Sequence, residues 1–332
     1  MVHPGRQRRR EPAPHPVDAA PPPAPGRHLP GQLHPDRHPP SDRRILTLGF
    51  RRWGSGSAPP VLLLHGFTGS SGSWPPPIVD ALARRGPVLA VDLPGHGGTP
   101  SLPSVAAPSS PVSSVAVPPA SAPASGFTSV LDAVVRLLDQ EGIAAADWIG
   151  YSMGGRIALA GAVTHPHRVR RLVLESASPG LDTPRARELR RTRDETLARR
   201  LEERGIASFV DFWMELALFA SQKRLPEPVQ SGARAARLRQ DAHALAQALR
   251  TMGTGTQPSY WPQLPRLDLP VLLLTGGLDR KFEELANRMA DALSRARRHS
   301  VPDVGHAVHL EAPGAWISAV SAFLDDPGHS GS

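Results

Sequence analysis

The chain has 332 residues, 40% of them hydrophobic, and no apolar run approaches the about 20 residues that a membrane-spanning helix requires, so we predict no membrane insertion. It contains no cysteine, which excludes disulfides, cysteine-ligated metal centres and a cysteine nucleophile. The net charge is +8, but residues 1–44 carry eight arginines against four acids and hold half of that excess, which argues against nucleic-acid binding.

Segments of biased composition flank and interrupt the chain. Residues 1–42 are dominated by Pro, His and Arg without apolar periodicity, which predicts a disordered tail. They lack the apolar stretch of a secretory signal, so we expect a cytoplasmic protein. Residues 100–125 are rich in Pro, Ser and Ala and predict a low-complexity loop insertion, and residues 326–332 predict a short C-terminal tail. One domain is therefore expected over residues 43–325.

Within that domain, strand and helix patterns alternate. Short apolar runs are typical of parallel strands buried on both faces, and they occur at 61–64, 88–91, 148–150, 171–174 and 271–274. Helical patterns separate them, at 76–85, 127–141, 153–164 and 283–297. This order predicts an α/β fold, a mostly parallel sheet with helices on both faces. Arg-rich residues 182–250 contain no strand pattern and predict a helical lid inserted between two strands.

A Gly-x-Ser-x-Gly pattern around Ser152 predicts a nucleophile elbow. Gly150 and Gly154 flank the serine, an apolar strand pattern precedes it, and an apolar helix pattern follows, which is the setting that this turn requires. A helix cap with packing glycines is the structural alternative.

A serine nucleophile needs a base and an acid, which follow it in that fold in the order Ser, acid, His. His306, in a loop after the strand-like residues 298–301, is the leading base, and His309 is its rival. Asp279, after the run at 271–274, is the leading acid, and Glu175 is the alternative.

Developing negative charge in such a site is stabilised by backbone N–H groups. Met153 directly follows the serine, and Phe67 lies in the Gly-rich loop after the run at 61–64, so their N–H groups are the candidates for an oxyanion hole. The same loop contains no Gly-Lys-Ser/Thr sequence, which argues against nucleotide binding.

Several motifs give the chain a resemblance to a known family over roughly residues 44–325. They are Leu64-His-Gly-Phe-Thr-Gly-Ser70, Val91-Asp-Leu-Pro-Gly-His-Gly-Gly98, Gly150-Tyr-Ser-Met-Gly-Gly-Arg156, Glu175-Ser-Ala-Ser-Pro-Gly-Leu181, Asp279-Arg-Lys-Phe282 and Gly305-His-Ala-Val-His-Leu-Glu311. The chain resembles the α/β-hydrolase superfamily and, within it, the 2-succinyl-6-hydroxy-2,4-cyclohexadiene-1-carboxylate synthases of menaquinone biosynthesis.

The resemblance implies a lyase with a Ser152–Asp279–His306 triad that needs no metal or cofactor and releases pyruvate from a small anionic substrate. Residues that it assigns to substrate binding are Tyr151, Arg156, Arg187, Arg190, Phe212, Trp213 and Lys281. Arg156 lies one turn past the serine on an apolar helix, where a charge must be paired or face a pocket. An ester or carbon–carbon bond hydrolase and a non-catalytic ligand receptor remain alternatives, and the oligomeric state stays open.

Overall fold

Seven strands form one sheet in the computed structural model, which describes Met1 and residues 46–102 and 126–326. The strands are β1 (Phe50–Trp53), β2 (Val61–Leu64), β3 (Val88–Val91), β4 (Ala146–Tyr151), β5 (Val169–Glu175), β6 (Val271–Gly276) and β7 (Ala296–Val301). Their order across the sheet is β1-β3-β2-β4-β5-β6-β7, and only the β1–β3 pair is antiparallel. Residues 2–45, 103–125 and 327–332, which hold most of the tails predicted at 1–42 and 326–332 and of the insertion predicted at 100–125, lie outside the described residues.

Helices cover both faces of this sheet. They are α1 (Pro76–Ala83), α2 (Gly126–Gln140), α3 (Met153–Thr164), α4 (Pro184–Met214), α5 (Glu227–Leu238), α6 (Ala242–Met252), α7 (Arg280–Ala292), α8 (Val308–Glu311) and α9 (Pro313–Leu324). Alternate residues of a strand supply opposite cores: Leu62 and Leu64 join the core under α2 and α3, whereas Leu63 joins the core under α1 and α9. The predicted α/β architecture is confirmed.

The segment between β5 and β6 is helical. It comprises α4, a short 3-10 helix at Ala217–Arg224, α5 and α6, and we call it the helical insertion. A small core of its own, which includes Leu201, Phe209 and Leu245, joins α4 to α6. Gly205 interrupts α4 with a φ of 73°, a conformation that favours glycine. None of the described helices is both long and apolar enough to cross a membrane.

Two details of the predicted elements were wrong. The helix predicted over 283–297 runs from Arg280 to Ala292, and Ala296 already belongs to β7. The strand-like residues 298–301 lie within β7, but its first residues were assigned to the helix because Arg297 and Arg298 are exposed on this edge strand and give no apolar run. Strand β1 was not predicted for the same reason, since its two central residues are exposed arginines.

Candidate active site

Ser152 lies in a tight turn between β4 and α3. Its φ is 49°, a region that non-glycine residues rarely adopt, and its N–H donates to the Glu175 carbonyl at 2.8 Å. A Cβ on Gly150 would lie 2.5 Å from the Gly154 carbonyl oxygen, and one on Gly154 would overlap the Leu64 carbonyl. Only glycine fits at both positions, so the local sequence dictates the strained turn that presents the Ser152 hydroxyl.

His306 connects Ser152 to Asp279 through both ring nitrogens. Its Nε2 lies 3.1 Å from Ser152 Oγ, and its Nδ1 lies 2.6 Å from Asp279 Oδ2. The ring is 2% exposed and packs against Phe282 and Phe219, with ring centroids 4.7 and 6.1 Å away. The distances suit a serine whose proton passes to a histidine that a carboxylate orients.

The two rival residues form a separate buried pair. His309 Nδ1 lies 2.7 Å from Glu175 Oε1, and Glu175 Oε2 accepts the indole N–H of Trp316 at 2.9 Å. Glu175 and His309 thus engage each other, whereas of the leading candidates His306 lies beside the Ser152 hydroxyl and Asp279 lies beside His306.

The loop that carries Phe67 is fixed by two buried histidines. His65 Nε2 accepts the Leu93 N–H at 3.0 Å, and His96 Nε2 accepts the Thr68 N–H at 3.3 Å. A ring nitrogen can accept only when it is unprotonated. Burial lowers the pKa of His65 to about 4 and, with a further contribution from nearby His65, lowers the pKa of His96 to about 3, so both rings are neutral at physiological pH.

A cavity of about 380 Å³, which we call the front cavity, opens beside Ser152. Its wall includes the predicted nucleophile and base and both residues of the predicted oxyanion hole: Ser152, His306, Phe67 and Met153. Five of the predicted substrate-binding residues also line it: Tyr151, Arg156, Arg190, Trp213 and Lys281.

The other two predicted substrate-binding residues lie outside the lining of the front cavity. Arg187 donates to the Leu181 carbonyl at 3.2 Å, and Phe212 packs under the Arg200 guanidinium, 4.0 Å from its ring centroid. Among the alternatives on α4, therefore, the geometry favours Arg190 over Arg187 and Trp213 over Phe212 at the cavity wall.

Like charges converge on the front cavity. Burial, and then the charge of Arg190, lowers the pKa of Arg156 to about 9, and the same two causes lower the pKa of Lys281. Arg156 donates to the Met252 carbonyl at 2.7 Å, and among the described residues it forms no ion pair. Arg190 is paired with Asp194 at 2.7 Å. The lining also holds Arg288, which is paired with Asp182 at 3.2 Å, and Glu284, so its four cations exceed its two carboxylates.

A second cavity of about 390 Å³, the rear cavity, adjoins the first and shares Phe67, Tyr151 and Phe219 with it. Arg237 of α5 lines the rear cavity, with its Nε and Nη1 buried and without hydrogen-bond partners. Burial lowers the pKa of Arg237. Sequence reasoning missed this residue because nothing in an Arg-rich helix distinguishes the one arginine that packs inward.

Residues 59–313 match the alpha/beta hydrolase fold family. A protein of Serratia proteamaculans (strain 568) named 2-succinyl-6-hydroxy-2,4-cyclohexadiene-1-carboxylate synthase is 30% identical over 285 residues, which cover 86% of this chain and 100% of that one. A protein of Bacillus subtilis (strain 168), whose name gives the same activity as a provisional assignment, is 36% identical over 271 residues, which cover 82% of this chain and 92% of that one.

The solved structure of MenH from S. aureus is similar to this one, with a TM-score of 0.71 at 30% identity over 83% of this chain and 97% of that one. The enol-lactonase from Burkholderia xenovorans LB400 has a TM-score of 0.65 at 23% identity and shares the fold.

Proposed function

Because the chain belongs to the α/β-hydrolase superfamily and, within it, to the 2-succinyl-6-hydroxy-2,4-cyclohexadiene-1-carboxylate synthases, we propose that it is a carbon–oxygen lyase of menaquinone biosynthesis. Its substrate is then 2-succinyl-5-enolpyruvyl-6-hydroxy-3-cyclohexene-1-carboxylate. Its two products are then 2-succinyl-6-hydroxy-2,4-cyclohexadiene-1-carboxylate and pyruvate. The reaction is an elimination and consumes no water.

The difference between substrate and product fixes the bonds that change. A proton leaves ring carbon C2, next to the succinyl ketone, and its electron pair forms a C2–C3 double bond. The 3,4-double bond moves to C4–C5, and the bond from C5 to the enolpyruvyl oxygen breaks. The leaving enolate takes up a proton and becomes pyruvate. The catalyst must therefore remove one proton and stabilise charge on the ketone oxygen.

The Ser152–His306–Asp279 arrangement is suited to that proton transfer. Ser152 Oγ removes the C2 proton while its own proton passes to His306 Nε2, 3.1 Å away. Asp279, 2.6 Å from Nδ1, orients the ring and stabilises the imidazolium that forms. The same proton can then return to the departing pyruvate enolate.

The backbone N–H groups of Phe67 and Met153 are proposed to donate to the succinyl ketone oxygen as charge develops there. Both residues line the front cavity with Ser152. Tyr151, in the partition between the two cavities, and Trp213, on the wall from α4, would bound the ring of the substrate.

The observation that carries the proposal is the convergence of Arg156, Arg190 and Lys281 on the front cavity. Bringing like charges together in a partly dry pocket costs free energy unless an anion joins them. The proposed substrate has three carboxylates: one on the ring, one on the succinyl chain and one on the enolpyruvyl group. Arg237, whose Nε and Nη1 lack hydrogen-bond partners, lines the adjoining rear cavity and is a further cation within the same pair of cavities.

Pyruvate release tests the proposal directly. The purified protein is given the enolpyruvyl precursor, and pyruvate is followed with a coupled lactate dehydrogenase. We expect release well above the slow spontaneous rate. The lyase proposal is wrong if pyruvate appears only at the spontaneous rate, and efficient turnover of simple esters by the same protein would then support the hydrolase alternative.

A further inference from the structure

Glu175, at the carboxyl end of β5, joins the parts of the molecule that carry Ser152 and His306. Its side chain is 0% exposed, and both carboxylate oxygens are engaged. Oε1 accepts the His309 backbone N–H at 3.0 Å and lies 2.7 Å from His309 Nδ1, while Oε2 accepts from Trp316 of α9. A carboxylate buried with three donors is fixed in one orientation.

The same residue also supports the elbow. The Glu175 carbonyl accepts the Ser152 N–H at 2.8 Å, so its backbone fixes the nucleophile while its side chain fixes the segment that follows His306 by three residues. Glu311 fixes the other side of that segment, because its carboxylate accepts the N–H groups of Gly305 and Ala307, at 2.8 and 3.3 Å. The His306 backbone is thus bracketed by two carboxylates.

We propose that Glu175 is a positioning residue that sets the separation between Ser152 Oγ and His306 Nε2. This inference rests on the Ser152–His306 pair of the proposed function, but not on the identity of the substrate. His309 acts as the connector, because its ring is packed between Tyr151 and Trp74, with centroids 4.5 and 5.1 Å away, and cannot swing freely.

The matching of donors and acceptors around Glu175 supplies a test. In Glu175→Gln, an NH₂ group replaces one of the two acceptor oxygens. In one orientation of the amide this NH₂ faces the indole N–H of Trp316, and in the other it faces the backbone N–H of His309, so two donors oppose each other in either case. Trp316→Phe removes the indole donor. The double variant therefore relieves the conflict that the single variant creates.

We expect Glu175→Gln to lower kcat for pyruvate release about ten- to a hundredfold with KM changed less than about twofold, because a small displacement of a reacting group affects the chemical step. Trp316→Phe should lie within about threefold of wild type, and the double variant should recover most of the loss. Asp147→Asn is the matched control: Asp147 is also a buried carboxylate but lies at the start of β4, and kcat should be unchanged.

A serine-reactive probe measures the same geometry without the substrate. Diisopropyl fluorophosphate forms a bond from phosphorus to Ser152 Oγ, loses fluoride, and leaves the hydroxyl proton on His306, so its rate reports the Ser152–His306 geometry. We expect the labelling rate, followed by intact mass, to fall and recover in parallel with kcat. Should Glu175→Gln fail to fold, His309→Phe keeps the ring packing, removes the Nδ1 contact and should show the same loss.

The inference is overturned if folded Glu175→Gln, or His309→Phe in its place, labels at the wild-type rate. It is also overturned if the loss in Glu175→Gln is not reduced in the double variant. Failure of the lyase proposal has a different signature, in which wild type labels at Ser152 but releases no pyruvate above the spontaneous rate.

Discussion

The proposed reacting centre and the cationic wall of the front cavity differ in how their polar groups are partnered. In the reacting centre, Ser152, His306 and Asp279 bind one another at 2.6 to 3.1 Å. On the cationic wall, burial and then the charge of Arg190 lower the pKa values of Arg156 and Lys281, and Asp194 is the carboxylate paired with Arg190. The polar groups of the first region thus partner one another, whereas Arg156 and Lys281 in the second form no ion pair within the described part of the chain.

Under the proposed function, that difference suits the first region to the chemical step and the second to recognition of the substrate. A group that is already oriented needs no rearrangement during the reaction, which is the basis of electrostatic preorganisation. Cations that form charge-assisted contacts with an anionic substrate contribute to the free energy of its binding. Variants in the two regions should therefore differ in the kinetic parameter that they change.

The largest effect is expected at the reacting centre. Ser152→Ala removes the group that takes the substrate proton, so kcat should fall by at least about a thousandfold, as it does when a triad member is lost in other enzymes. Pyruvate release by the purified variant measures the effect. Its thermal midpoint serves as the control and should match wild type. Near wild-type turnover would show that Ser152 is not the reacting group.

The clustering of Ser152, Asp279 and His306 was predictable because its determinants are local or follow from chain order. Gly150 and Gly154 define the turn around Ser152, and the ends of β6 and β7 are followed by Asp279 and His306. Which arginine faces a cavity was not predictable in the same way. The Nε and Nη1 atoms of half-buried Arg237 are covered by tertiary packing, and nothing in the order of residues on α5 encodes that contact.

A smaller effect is expected on the cationic wall. A charge-assisted contact in a partly dry pocket contributes about 1.5–3 kcal/mol, so Arg156→Ala should lower kcat/KM roughly ten- to a hundredfold. Arg156→Lys should restore part of this, because Lys lacks the planar fork. Arg187→Ala is the matched control on α4, where the guanidinium binds the Leu181 carbonyl and does not line the front cavity.

Pyruvate release across a range of precursor concentrations distinguishes these outcomes. Equal losses in Arg156→Ala and Arg187→Ala would contradict the assignment of recognition to the cationic wall. So would wild-type kcat/KM in Arg156→Ala.

Acid should destabilise the fold through the two buried histidines that fix the Phe67 loop. His65 and His96 have pKa values lowered to about 4 and about 3, below about 6.5 in the unfolded chain. As pH falls below about 6.5 the unfolded chain binds protons that the folded chain does not, so stability is lost until the folded values are reached. At pH 5 the loss is about 2 kcal/mol for each histidine relative to pH 8.

The variant His96→Gln isolates the contribution of His96 to this loss of stability. Its amide oxygen can still accept the Thr68 N–H but does not titrate. Urea unfolding at pH 8 and pH 5 should show that the variant loses about 2 kcal/mol less than wild type, because every other titrating group is shared. Parallel losses in the two proteins would mean that His96 is protonated in the folded state at pH 5.

The smallest expected effect separates two neighbours on α4. Trp213 lines the front cavity and stacks on Phe209, with centroids 5.4 Å apart and planes 20° apart, whereas Phe212 packs under Arg200 outside it. Trp213→Ala should raise KM for the precursor about three- to tenfold, since an aromatic wall buries part of the ring of the substrate. Phe212→Ala should leave KM within about twofold and lower only the thermal midpoint. A KM increase confined to Phe212→Ala would place the recognition surface on the other side of α4. Arg187 and Arg200 would then be the candidates for binding the substrate carboxylates.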